Sequence, residues 1–193
     1  MIVVGVGCGP GMMTEEAVAR IKAAKNVYGS RRAIEIASTY IPSDCEVHPV
    51  TDFSDLSGLP EDSVVLSTGD PMLAGLGHLG LEVVPGISSL QLAFSRLKLP
   101  LTRAVVIDAH GDKDMDVSDE VMKEMSKGRI AFILTSPDFK VDKLASDLML
   151  FGADCEIAIC EDLGYPSECI SVGTPSRPPV PGSGLFSVVV VKV

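Results

Sequence analysis

Residues 2–11 read IVVGVGCGPG, and residues 14–16 read TEE. The first five are a short apolar run, a length that suits a buried strand better than a helix. A glycine-rich turn follows, in which bare backbone N–H groups can approach a ligand. Thr14 offers a hydroxyl for capping the next helix, with Glu15 and Glu16 set against its positive end. Strand, glycine turn and helix together open an α/β unit. The spacing is not that of a dinucleotide fold, because Pro10 stands where G-x-G-x-x-G needs its third glycine. The next strand, Val27-Tyr28-Gly29, ends in glycine where a ribose-binding acid would stand, so a nicotinamide cofactor is disfavoured. A purely structural turn is the remaining alternative for this motif.

The same alternation extends outward. Ala17, Val18, Ile21 and Ala24 fall at helical spacing. Ser30 caps a helix running to about Thr39, before Pro42 stops it. Residues 63–67 (SVVLS) and 82–84 read as strands, followed by Thr68-Gly69-Asp70-Pro71 and Pro85-Gly86. A helix starting at Ser88 or Ser89 carries Leu90, Leu92, Ala93 and Leu97. Residues 98–102 (KLPLT) read as a linker. Beyond them come strands at 104–108, 130–134, 155–160 and 186–192, helices at about 117–126 and 138–150, and a Gly/Pro-rich loop at 173–184. The expected fold is α/β with mostly parallel sheets, in two lobes spanning 1–102 and 103–193.

Composition narrows the function. Of 193 residues, 46% are hydrophobic and 22% charged, which excludes a disordered chain. Lys and Arg number 16 against 26 Asp and Glu, a net charge of −10 that disfavours general binding of nucleic acid. An anionic ligand would need a local basic patch. The five cysteines are odd in number, none forms a CxxC pair, and the N-terminus does not read as a signal peptide. A cytoplasmic protein with reduced thiols is expected. No apolar stretch approaches the roughly 20 residues of a membrane span. No metal-ligand spacing is visible.

Several residues carry chemistry in their type and place. Asp70 puts a carboxylate at the carboxyl edge of the sheet, where ligands of α/β folds sit; a turn in which it bonds its own backbone is the alternative. Ser88 and Ser89 could hold a polar ligand or only cap a helix. His110 could accept a proton, or only satisfy backbone groups in a turn. His48 and His78 read as structural or exposed. Arg31 and Arg32 pair forked donors beside apolar sequence, with Arg96, Lys98 and Arg103 as further basic candidates.

Taken together and in order, GPG at 9–11, GDP at 69–71 and PGISS at 85–89 make the whole chain resemble the tetrapyrrole methylase family. Within that family, PGISSLQ, Gly29-Ser30-Arg31-Arg32, Ala109-His110-Gly111 and the stretch Glu161 to Glu168 are most similar to the group acting on carbon 5 of cobalt-precorrin-7 in cobalamin synthesis. The resemblance implies two α/β lobes with an active site in the cleft between them. It implies methyl transfer from S-adenosyl-L-methionine to a corrin ring, with cobalt arriving inside the substrate. Donor contacts would be Pro10, Thr68, Gly69, Asp70, Leu73, Ser88, Ser89 and Leu134, with Leu163 nearby. Arg31 and Arg32 would hold substrate carboxylates. It further implies a homodimer, which the positive mean hydropathy fits, and a separate decarboxylating methyltransferase as a partner. A methylase for another ring position, diphthine synthase, and a non-catalytic nucleotide or corrinoid binder are the competing readings.

The sequence also departs from the family pattern. An extra Gly-Cys precedes Pro10, and the acidic residue after the first motif is missing. Met72-Leu73-Ala74 stands where an aromatic residue is usual. Five residues separate Gly75 from Leu81, leaving room for almost no helix.

Overall fold

A computed structural model of the chain describes residues 1–53, 56, 58–110 and 116–193. Gly111, quoted above, lies outside the described residues. The chain forms two compact units, Met1–Ser89 and Leu90–Val193.

The first unit holds five strands: β1 (Ile2–Gly5), β2 (Asn26–Gly29), β3 (Glu46–Pro49), β4 (Val64–Ser67) and β5 (Glu82–Val84). They lie in the order β3-β2-β4-β1-β5, and every pairing is parallel. β4 is buried at every position, as expected of a central parallel strand covered on both faces. Helix α1 (Glu15–Lys22) is capped by Thr14, whose Oγ1 accepts from Ala17 N at 3.1 Å. Helix α2 (Arg31–Ala37) is capped by Ser30, whose Oγ accepts from Ala33 N at 3.2 Å. Helix α3 (Pro71–Ala74) is a single turn, and between Gly75 and Leu81 the chain makes only a three-residue 3-10 turn, Gly77–Leu79, where almost no helix was expected.

This order sets a switch point. From β1 the chain moves two positions one way to β2; from β4 it moves two positions the other way to β5. β1 and β4 are neighbours, so the loops leaving them part at their carboxyl ends. In open α/β sheets that parting makes the ligand crevice.

The second unit begins with helix α4 (Ser89–Leu97), which continues from the last residue of the first. Strands β6 (Ala104–Asp108), β7 (Ile130–Leu134), β8 (Cys155–Glu161), β9 (Cys169–Gly173) and β10 (Phe186–Lys192) follow, with helices α5 (Val117–Ser126) and α6 (Val141–Leu150). The sheet order is β6-β7-β10-β8-β9. Phe94 of α4 meets Phe132 of β7 edge-to-face at 6.4 Å, a contact contributing about 0.5–1.5 kcal/mol beyond its buried area. The core of this unit gathers Val121, Ile133, Leu148, Ile157, Val188 and Val190, all fully buried.

The expectation of mostly parallel sheets needs correction here. β6 and β7 pair in parallel, but β10 runs antiparallel to β7 and β8, and β9 antiparallel to β8. For β9 the cause is connection length and content. A parallel return needs a crossover of a dozen or more residues, usually helical. Only residues 162–168 separate β8 from β9, and they form turns. Strands β3 and β9 also lie outside the sequence reading. Both are sheet edges whose residues are exposed or half-buried, so neither carries the apolar run that marks a buried strand.

Candidate active site

The three glycine motifs meet at the carboxyl edge of the first sheet, and main chain joins them. Gly7 N donates to Gly69 O at 3.2 Å, and Gly69 N donates back to Gly7 O at 2.8 Å. Cys8 N donates to Ile87 O at 2.9 Å, and Ile87 N donates to Met12 O at 3.1 Å. Thr14, besides capping α1, donates its hydroxyl to Pro85 O at 3.1 Å. Segments some 60–80 residues apart in sequence are thereby locked together.

Glycine is required at this junction. A Cβ on Gly86 would stand 2.5 Å from Gly69 O and 2.8 Å from Gly7 N, both backbone atoms that cannot swing aside. Gly69 is different. Its φ of 71° is left-handed, yet a Cβ there would meet nothing within 4 Å. Gly11, at φ 78°, likewise faces open space. Both loops therefore present bare backbone to solvent, a cradle that side chains would fill.

Around that backbone stand the other predicted residues of the first unit. Thr68, Asp70, Leu73 and Ser89 are half-buried, Ser88 is buried, and Pro10 is exposed. Asp70 is the N-cap of α3, with Oδ1 accepting from Met72 N at 2.8 Å. The turn-forming alternative for Asp70 is thus realised. Its carboxylate charge still stands beside the open backbone of Gly69. A half-exposed carboxylate, two hydroxyls and an uncovered loop fit a polar ligand bearing positive charge and sugar hydroxyls, which is the chemistry of an adenosyl sulfonium donor.

Arg31 and Arg32 follow β2 at the same sheet edge. They occupy the first turn of α2, which holds no acidic residue. Cations oppose the helix dipole there, at about 0.3–1 kcal/mol each. Their side chains carry no hydrogen bond or ion pair among the described residues. Two of the other basic candidates are engaged elsewhere. Arg96 Nε donates to Glu168 Oε1 at 2.6 Å, and Arg103 Nε donates to Gly128 O at 2.8 Å. Lys98, at φ 55°, ends helix α4. His48 stacks on Tyr28 across β2 and β3 at 4.5 Å, and His78 is exposed.

The second unit brings its predicted residues to one edge as well. β6, β7 and β8 point the same way, and their carboxyl ends carry His110, Leu134 and Leu163. Ala109 N donates to Leu134 O at 2.9 Å. His110 Nδ1 lies 2.9 Å from Thr135 O. A carbonyl only accepts, so Nδ1 carries the proton and a neutral ring keeps its lone pair on Nε2. His110 N also donates to Asp108 Oδ1 at 2.9 Å. An open cavity of about 780 Å³ between Ser171 and Val180 includes none of the predicted site residues in its lining.

Sequence reasoning missed the carboxylates that hold this second edge. Glu161 is buried and accepts from Gly182 N and Ser183 N. Glu168 accepts from Arg96 and from Gly164 N, and the Arg96 guanidinium, followed by the Gly164 N–H, holds its carboxyl below the usual range. Cys160 beside them is pushed up to about 12, chiefly by burial. The available signal was Glu161-Asp162 ending a strand just before Gly164 and Pro166.

A switch-point crevice of glycine loops on the parallel sheet of one unit, and a mixed sheet in the other, define a two-unit α/β architecture. Residues 1–177 match the family described as Tetrapyrrole (Corrin/Porphyrin) Methylases, and the chain belongs to that family. It is 27% identical to the probable cobalt-precorrin-7 C(5)-methyltransferase of Methanocaldococcus jannaschii, over 86% of each chain. It is 26% identical to the precorrin-6Y C(5,15)-methyltransferase [decarboxylating] of Mycobacterium tuberculosis, over 90% of this chain and 46% of that protein. The chain thus spans about half the length of that curated relative. Among solved structures, the cobalamin biosynthesis precorrin-6Y methylase of Archaeoglobus fulgidus superposes with a TM-score of 0.74 at 28% identity, covering 100% of this chain and 97% of that one.

Proposed function

We propose that the protein is an S-adenosyl-L-methionine-dependent C-methyltransferase of cobalamin (corrin ring) biosynthesis, acting on carbon 5 of cobalt-precorrin-7. The main-chain junction of the three glycine motifs carries this reading, because it leaves the backbone of Gly69 open beside Asp70 and that of Gly11 open in the loop joined to it. The relatives named for C(5) methylation support the ring position.

Pro10, Thr68, Gly69, Asp70, Leu73, Ser88 and Ser89 hold the donor. When bound, S-adenosyl-L-methionine supplies a methyl group already activated by its sulfonium. Asp70 attracts the positive donor and accepts from its hydroxyls, while the rigid loops orient it. Placement of this kind can supply roughly 7–11 kcal/mol of the barrier reduction. Arg31 and Arg32 bind substrate carboxylates, which repays their cost at the start of α2. His110 takes up a proton at Nε2, its ring held by Thr135 O. The protein works in the cytoplasm as a homodimer, beside a separate decarboxylating methyltransferase. Among the described residues no helix is long and apolar enough to cross a membrane.

Incubation with cobalt-precorrin-7 and S-adenosyl-L-methionine tests the reading. The expected product gains one methyl group, located at carbon 5 by NMR. A methyl on another carbon, or no turnover at all, overturns it.

A further inference from the structure

The first glycine loop returns alongside the third motif. Ile87 N donates to Met12 O at 3.1 Å, and Met13 forms an antiparallel bridge with Gly86. Continued by one residue, this pairing sets Thr14 opposite Pro85. An ordinary main-chain pair there would need an N–H from residue 85, which proline lacks. Thr14 O accepts instead from Val18 N at 3.1 Å, at the start of α1. The Thr14 side chain takes over the pairing, its Oγ1 donating to Pro85 O at 3.1 Å. The same oxygen accepts from Ala17 N at 3.1 Å. One hydroxyl, donating once and accepting once, thus joins the start of α1 to the third motif.

The two stretches it joins bear on the open backbone at the sheet edge. Gly86, next to Pro85, is packed so closely that an added Cβ would stand 2.5 Å from Gly69 O. The left-handed turn at Gly69 therefore rests on residue 86. On the other stretch, a Cβ on Gly7 would stand 2.4 Å from Met12 O, and Met12 N donates to Gly9 O at 3.2 Å. The turn so closed carries Gly11, at φ 78° with open space about it. Separating 12–14 from 85–87 would shift both bare loops.

We infer that Thr14 is a positioning residue of the donor site: its hydroxyl, bonded to Pro85 O, holds the 12–14 return against 85–87 and so sets the spacing of the Gly11 and Gly69 loops. This rests on the reading above that those loops hold the donor. Thr14 acts through Met12 and Gly86, not on the donor itself. Every residue in this chain of contacts belongs to the first unit. Loss of the bond weakens donor binding and spares the corrinoid.

Three substitutions separate this role from helix capping. Thr14→Val keeps the shape and loses both bonds. Thr14→Asp keeps a good cap for α1, but a carboxylate only accepts, so Pro85 O loses its donor. Thr14→Ser keeps both bonds. Each is compared with the parent by calorimetric titration of S-adenosylhomocysteine, by steady-state kinetics and by unfolding midpoint. The expected Kd is about fivefold weaker in Thr14→Asp and Thr14→Val, as loss of one neutral hydrogen bond gives, and within about twofold of the parent in Thr14→Ser. The unfolding midpoint should fall clearly only in Thr14→Val, so Thr14→Asp carries the test even where the valine variant folds poorly. The corrinoid KM should change less than about twofold in all three. The inference is overturned by parent-like donor affinity in Thr14→Asp, by a loss in Thr14→Ser equal to that in Thr14→Val, or by equal rises in donor and corrinoid KM. Any of these beside tight binding by the parent leaves the functional reading standing. A parent that fails to bind S-adenosylhomocysteine overturns that reading, and this inference with it.

Discussion

The carboxyl edges of the two sheets are built from different materials. In the first unit main chain does the joining: Gly7, Gly69, Cys8 and Ile87 pair through N–H and C=O groups. In the second unit side chains do it: Glu161, Asp162, Ser183, Glu168 and Arg96 hold the turns. A main-chain junction depends on what is absent, namely a Cβ, and glycine and proline mark that absence locally. A side-chain clamp depends on a partner elsewhere. Glu161 finds its donors 21 and 22 residues on, in a loop that reads only as Gly/Pro-rich.

The sharpest way to break this contrast is Gly86→Ala. The added methyl must displace backbone of two other loops, at a cost of about 3 kcal/mol, the upper end for overpacking. Gly69→Ala meets only the left-handed penalty of about 1–2 kcal/mol, because its methyl enters open space. Denaturant unfolding of the two variants should rank them in that order. Equal losses would mean the loops are not joined as described.

A smaller effect concerns the cations of the first unit. Replacing Arg31 and Arg32 together with alanine should raise the corrinoid KM about tenfold, as loss of charged hydrogen bonds would. It should leave donor affinity unchanged. The unfolding midpoint should hold or rise slightly, since two charges opposing the α2 dipole are gone. A falling midpoint would assign both residues to the fold.

The smallest effect belongs to the second edge. Arg96 keeps the Glu168 carboxyl below its ordinary range. A depressed carboxyl stabilises the fold above the ordinary value, about pH 4.3, and that stability is lost as pH falls through the folded value. Glu168→Gln should therefore flatten the decline in thermal midpoint on the acid side. An unaltered acid limb would remove the Arg96–Glu168 pair from the account.

The same contrast explains what the sequence disclosed. Thr14 and Ser30 were legible as caps, and strands β1, β4, β6 and β7 as apolar runs, because each signal is local. The meeting of Gly7, Gly69 and Gly86 was legible only as an order of motifs. Strands β3 and β9 were not legible, since edge strands bury too little to show an apolar period. The antiparallel pairing of β8 with β9 follows from turns at 162–168 where a crossover helix would be needed. Arg96 read as a substrate contact because Glu168, 72 residues away, gives no local sign of pairing with it.

The reading of the first edge as a donor site is tested most directly by titrating S-adenosylhomocysteine into the parent protein and Asp70→Asn. Asparagine keeps an oxygen to cap α3 through Met72 N, so the fold is spared while the charge is lost. The account predicts saturable one-site binding by the parent and a Kd at least about tenfold weaker in the variant, a difference of about 1.4 kcal/mol, at an unchanged unfolding midpoint. Equal affinity in the two proteins, or no binding by the parent, would contradict it.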